Sequence, residues 1–136
     1  MGLIIDTSAL VSMERQRAAL FPFLAAFASE PVAIPVIVWA ELLIGVRLAR
    51  DAGTSARRRA HLEQLRLHVP LVEFGDAIAE HYADIFAECA QAGTPIPQND
   101  MAVAATARHL GYRVLVGEAD EAHFRRVQNL EVIALP

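Results

Sequence analysis

Four carboxylates are set apart by their surroundings: Asp6, Glu41, Asp100 and Asp120. Asp6 ends the apolar run Leu3-Ile4-Ile5 and is followed by Thr7 and Ser8. That pattern describes a buried strand delivering a carboxylate at its carboxyl end, the edge where open α/β sheets bind ligands. Asp6 would serve equally well as the cap of a following helix. Glu41 lies within Val36-Ile37-Val38-Trp39-Ala40-Glu41-Leu42-Leu43-Ile44, a segment with little polar face. Burying an unpaired carboxylate there is costly, so Glu41 is exposed at a cleft, paired with arginine, or bound to a cation. Asp100 sits just inside a helix after Pro97-Gln98-Asn99, where an acid also complements the helix dipole. Asp120 follows an apolar strand and a glycine, again a position open to a simple cap.

The set says more than its members. Two of these acids fall at carboxyl ends of expected strands and two on helices packed against them. Carboxylates clustered without arginine repel one another and raise each other's pKa, and a divalent cation removes that penalty. All-oxygen ligation favours Mg²⁺ or Mn²⁺ over zinc, and no His/Cys zinc spacing is present. The histidines His61, His68, His81, His109 and His123 are scattered and read as surface or packing residues.

The elements that must hold these groups alternate. Strands are expected at Leu3–Ile5, Val32–Ile34, Val69–Phe74, Arg113–Val116 and Glu131–Ala134. Helices are expected at Ala9–Arg15, capped by Ser8 or Thr7, then at Arg17–Ala28 and Val36–Ala49. Gly53-Thr54-Ser55 breaks the chain and caps a helix over Ala56–Arg66. Asp76 caps a helix running to Ala92, and Gly93 ends it. Helices at Gln98–Leu110, closed by Gly111, and at Glu121–Val127 complete the series. This order argues a three-layer α/β domain spanning residues 1–136, with a mostly parallel central sheet flanked by helices.

Composition narrows the chemistry. With 136 residues, 54% hydrophobic and 21% charged, the chain is long enough to bury its own core. A net charge of −4 argues against a generally basic nucleic-acid binder. All 12 cations are arginine, which excludes lysine-dependent phosphate loops, Schiff bases and the usual phospho-aspartate receiver. The single Cys89 excludes an internal disulfide and suits a reducing compartment. With no export signal, and an apolar run from Pro31 to Ile44 that is too short to span a bilayer, the expected location is cytoplasmic.

Taken together, these motifs resemble the PIN-domain ribonucleases, specifically the VapC-type toxins of toxin–antitoxin pairs. The resemblance rests on Ile5-Asp6-Thr7-Ser8-Ala9-Leu10 and on Trp39-Ala40-Glu41-Leu42-Leu43-Ile44-Gly45. It continues through Gly93-Thr94-Pro95-Ile96-Pro97-Gln98-Asn99-Asp100 with Ala102 to Ala107, and Asp120-Glu121-Ala122-His123-Phe124. The order and spacing cover nearly the whole chain. The resemblance implies a PIN-like fold and a Mg²⁺ or Mn²⁺ site built from Asp6, Glu41, Asp100 and Asp120. Thr7 or Ser8 would orient Asp6 or a phosphate. It also implies cleavage of single-stranded or looped RNA, dimerisation, and neutralisation by a cognate VapB-type antitoxin. Two departures stand out: Glu118 occupies a place where the family commonly has Thr or Ser, and Pro97 stands where it often has glycine.

Arg47, Arg50, Arg57, Arg58, Arg59 and Arg66 concentrate positive charge on the third and fourth helices. Singly they read as solvated helix faces; together, above all Arg57, Arg58 and Arg59, they suit an RNA backbone or an acidic antitoxin tail. The apolar segment around Trp39, with Leu20, Phe23 and Phe27, is either core or a partner surface. A haloacid-dehalogenase-type phosphohydrolase with Asp6 as nucleophile is a competing reading. It normally needs a second acid two residues on, where Ser8 stands, and a lysine. A non-catalytic module of the same fold is the other alternative.

Overall fold

The computed structural model describes all 136 residues. The strands are β1 (Leu3–Ile5), β2 (Val32–Pro35), β3 (Leu71–Val72), β4 (Arg113–Val116) and β5 (Val132–Ala134). The helices are α1 (Thr7–Gln16), α2 (Leu20–Leu24), α3 (Val36–Arg47), α4 (Ala52–His68), α5 (Asp76–Ala92), α6 (Gln98–Leu110) and α7 (Glu118–Arg125). A short 3₁₀ turn, Ala25–Phe27, extends α2.

All five strands pair in parallel in the order β3-β2-β1-β4-β5. β1 is central, with Ile4 opposite Ala33 of β2 on one side and Val114 of β4 on the other. Parallel strands flanked by helices bury both faces, so Leu3, Ile4, Ile5, Val114, Leu115 and Val116 are fully buried. The chain builds outward from β1 through β2 to β3, then returns to the other side of β1 with β4. The switch point, and the crevice it opens at the carboxyl edge, therefore lies between β1 and β4.

α6 crosses β1, β2 and β4, with α5 packed on it. Its run Asp100–Ala107 is buried throughout, and its alanines permit that close approach. Gly93 (φ 68°) and Gly111 (φ 70°) end α5 and α6 in the left-handed conformation that favours glycine. No helix is long and apolar enough to cross a membrane.

The sheet, α6 and β4 match the sequence reading, while several ends differ. The expected helix over Arg17–Ala28 is reduced to α2 and its 3₁₀ turn, because Arg17 takes a left-handed conformation (φ 54°) and closes α1. α4 starts at Ala52, not after Gly53-Thr54-Ser55, because the Asp51 side chain accepts from the Thr54 N–H and caps it. β3 shrinks to an edge pair beyond Pro70. Gly75, not Asp76, precedes α5. α7 begins at Glu118, three positions earlier than expected, so Glu118, Asp120 and Glu121 all lie in its first turn.

Candidate metal centre

The carboxyl edge of the sheet gathers the acids for a topological reason. α1, α3 and α7 each leave directly from a strand, so they start at that edge. α6 leads into β4 and runs back against it, so its first turn lies there too. Asp6 caps α1, Asp100 sits in the first turn of α6, and Asp120 in the first turn of α7. The positive ends of these helices partly offset the repulsion among the carboxylates.

Asp6 is only 1% exposed. Its Oδ2 accepts from the Ser8 N–H at 3.0 Å and from Ser8 Oγ at 2.5 Å. No protein donor occupies Oδ1. Capping and presentation thus coexist: one oxygen closes the helix and the other is left for the crevice. Ser8 Oγ in turn accepts from the Gly117 N–H at 2.9 Å, tying the end of β1 to the end of β4. The backbones meet so closely that a Cβ on Gly117 would lie 2.4 Å from the Ser8 carbonyl oxygen. The expectation that Ser8 or Thr7 caps α1 is therefore corrected: Asp6 is the cap. Ser8 orients Asp6, while Thr7 Oγ1 donates to Glu41 Oε1 at 2.9 Å.

Asp100 Oδ2 is 2.7 Å from His123 Nδ1, and Asp120 Oδ1 is 3.7 Å from the same nitrogen. One ligand atom from each of these three residues falls within 4.8 Å of the others. His123, a surface or packing residue on the sequence alone, instead joins the acids. The signal was its three-residue spacing from Asp120, which places both on one helix face once α7 is known to start at Glu118. Glu118 is exposed and lines a groove with Val11, Ser12, Arg15 and Gln16. Two helical steps turn the chain about 200°, so Glu118 and Asp120 face opposite ways.

Electrostatics report the crowding. Burial raises the Asp6 carboxyl to about 7; the Ser8 bonds oppose this, and the charges of Asp100 and Asp120 add to it. Burial and the Asp120 charge raise Asp100 to about 6, against the His123 contact, with Glu41 adding to the rise. No arginine lies within ion-pair distance of Asp6, Glu41, Asp100 or Asp120; each such contact of an arginine goes to another acid. Hard oxygen donors, mutual repulsion and no arginine counter-charge fit a divalent cation.

The arginine cluster divides. Arg58 donates to Glu14 Oε1 at 3.0 Å and to the Gly45 carbonyl at 2.8 Å, so it ties α4 to α1 and α3. Arg57 and Arg59 are exposed. Trp39 is half-buried beneath the Arg66 guanidinium, and Leu20, Phe23 and Phe27 pack against the core.

A profile of the PIN domain matches residues 3–130. This chain belongs to the PIN-domain family. Within that family, "Ribonuclease VapC" of Rickettsia bellii (strain RML369-C) is 31% identical to it, covering 100% of this chain and 98% of that protein. "Ribonuclease VapC1" of Rickettsia felis (strain ATCC VR-1525 / URRWXCal2) is 30% identical, covering 99% and 97%. The PIN fold itself superposes on VapBC2 from Rickettsia felis, solved bound to a promoter DNA fragment, with a TM-score of 0.87 at 22% identity over 100% of both chains. VapBC-5 from Mycobacterium tuberculosis gives 0.77 at 26% identity, covering 99% and 100%.

Proposed function

We propose that this PIN-domain chain is a divalent-metal-dependent endoribonuclease, the toxin of a toxin–antitoxin pair, acting as one unit over its 136 residues. The observation that carries the reading is a buried Asp6 grouped with Asp100, Asp120 and Glu41 without any arginine to neutralise them. The ribonuclease names of its relatives support the substrate, and the VapBC toxin–antitoxin structure from Mycobacterium tuberculosis supports the partner.

Asp6, Glu41, Asp100 and Asp120 would hold Mg²⁺ or Mn²⁺. A divalent cation there supplies Lewis acidity toward a phosphodiester and lowers the pKa of water. The chain's own work is placement. Ser8 fixes one oxygen of Asp6 and leaves the other directed to the crevice. Thr7 fixes Glu41. The amino ends of α1, α6 and α7 attract a phosphate to the same edge. The exposed Arg57 and Arg59 contact the RNA backbone or an acidic antitoxin segment, while Arg58 serves chiefly to hold α4. A VapB-type antitoxin and a second copy of the chain are the proposed partners, and the cytoplasm the proposed location.

Stripping the protein with EDTA and restoring Mg²⁺ or Mn²⁺ tests this on a labelled single-stranded RNA. Cleavage is expected only with metal, and Asp100→Asn should lower it at least about 100-fold. Undiminished cleavage by Asp100→Asn would overturn the assignment.

A further inference from the structure

We propose that His123 is a nitrogen ligand of the carboxylate site and that it biases the site toward Mn²⁺ over Mg²⁺. The inference rests on the metal-site reading above and extends it to a residue outside the carboxylate set. Asp120 and His123 share one face of α7, and Asp100 approaches from α6. His123 Nδ1 stands 2.7 Å from Asp100 Oδ2 and 3.7 Å from Asp120 Oδ1. Adjacent ligand atoms on an octahedral ion with bonds of 2.0–2.1 Å lie about 3 Å apart. These separations are therefore on the scale of one ion's inner shell.

No other histidine stands this way. His68 packs edge-on against Phe21, His81 lies against His109, and none of His61, His68, His81 and His109 lies within ion-pair distance of a carboxylate. The His123 side chain is 29% exposed and finds no other protein partner, while its neighbour Phe124 is fully buried and anchors α7. In the metal-free chain Nδ1 and Asp100 Oδ2 share a hydrogen bond. Ligation requires the proton on Nε2, and the neutral ring then offers the Nδ1 lone pair.

The consequence is selectivity. Mg²⁺ demands hard oxygens and keeps its waters, whereas first-row transition ions accept imidazole. A site of carboxylates alone treats Mg²⁺ and Mn²⁺ more evenly than one containing a ring nitrogen.

The test uses the full-length protein loaded with Mn²⁺. Electron spin-echo modulation should reveal ¹⁴N coupling to bound Mn²⁺ in the wild type, which needs no variant to fold. Titrations of Mn²⁺, and of Mg²⁺ by competition, then compare wild type with His123→Ala and His123→Asn. Both variants should bind Mn²⁺ at least tenfold more weakly while Mg²⁺ affinity changes less than about threefold. His123→Asn keeps a donor toward Asp100 but no ring nitrogen, so it must lose the preference as fully as His123→Ala. Bound Mn²⁺ without nitrogen coupling, or equal losses for both metals, would overturn the assignment and leave His123 as a hydrogen-bond donor to Asp100. Failure of the wild type to bind either ion would overturn the metal site itself.

Discussion

The two edges of one sheet treat charge in opposite ways. At the amino edge, Arg113 begins β4 between Glu30, just before β2, and Glu131, just before β5, with its guanidinium 5.5 Å from the Phe27 ring centre. Nearby in chain order, Arg108 pairs with both oxygens of Glu88 and donates to the Gln128 carbonyl. Each partly buried charge there has its opposite. At the carboxyl edge, Asp6, Asp100, Asp120 and Glu41 crowd together with His123 alone for company. Compensated charge holds a fold together; uncompensated charge of one sign is strain that a ligand can relieve. The first edge reads as structure and the second as function.

Asp6→Asn attacks the difference most directly. Asparagine caps a helix as well as aspartate does, so α1 should persist. RNA cleavage should fall about 1,000-fold, while the metal-free variant melts higher at pH 8 because the most deeply buried charge of the site is gone. An unchanged cleavage rate, or a lower melting temperature, would break the contrast. Gly117→Ala strikes the joint between β1 and β4. The added Cβ meets the Ser8 backbone, so a loss of about 1–3 kcal/mol in chemical denaturation is expected. Cleavage should fall about 100-fold as Ser8 and Asp6 move.

The pH dependence sharpens the comparison without mutation. The folded Asp6 titrates near 7 against an ordinary value of 3.8, and Asp100 near 6. Between those values the folded chain holds protons that the unfolded chain releases, so these groups make stability fall as pH rises. In EDTA the melting temperature should drop by roughly 5 °C or more from pH 5 to pH 8. Saturating divalent metal should restore more at pH 8 than at pH 5. A metal-free melting temperature that climbs over this range would show that the carboxyl edge is not strained. The smallest effect belongs to the other edge. Arg113→Ala strands Glu30 and should cost about 1–2 kcal/mol, measured by urea unfolding, with cleavage per folded molecule unchanged.

Much of this was legible in the sequence because it depends on local patterns. The apolar run Leu3–Ile5 ending in Asp6, and the alanine-rich Gln98–Leu110 closed by Gly111, each carry their own start and stop. The same locality made the acids stand out, since each sits at an element end or in an otherwise apolar segment. Arg17 was not legible: a non-glycine left-handed cap leaves no residue-type signature. The split duties of Thr7 and Ser8 depend on where α3 and β4 come to lie, which is tertiary information. His123 depended on one boundary. With α7 read from Glu121, neither Asp120 nor Glu118 had a helical face, and the pairing of Asp120 with His123 was invisible.

The bond between Ser8 Oγ and the Gly117 N–H joins positions 109 residues apart. The ribosome makes Asp6 almost at once and Asp100, Asp120 and His123 nearly last. At about 5–20 residues per second, Asp6 waits roughly 5–20 s for the turn that locks it. A nascent chain that lacks β4 has neither the central strand neighbour of β1 nor α7 with Asp120 and His123. The centre therefore arrives whole with the closing segment of translation, and truncated products carry only unassembled fragments of it.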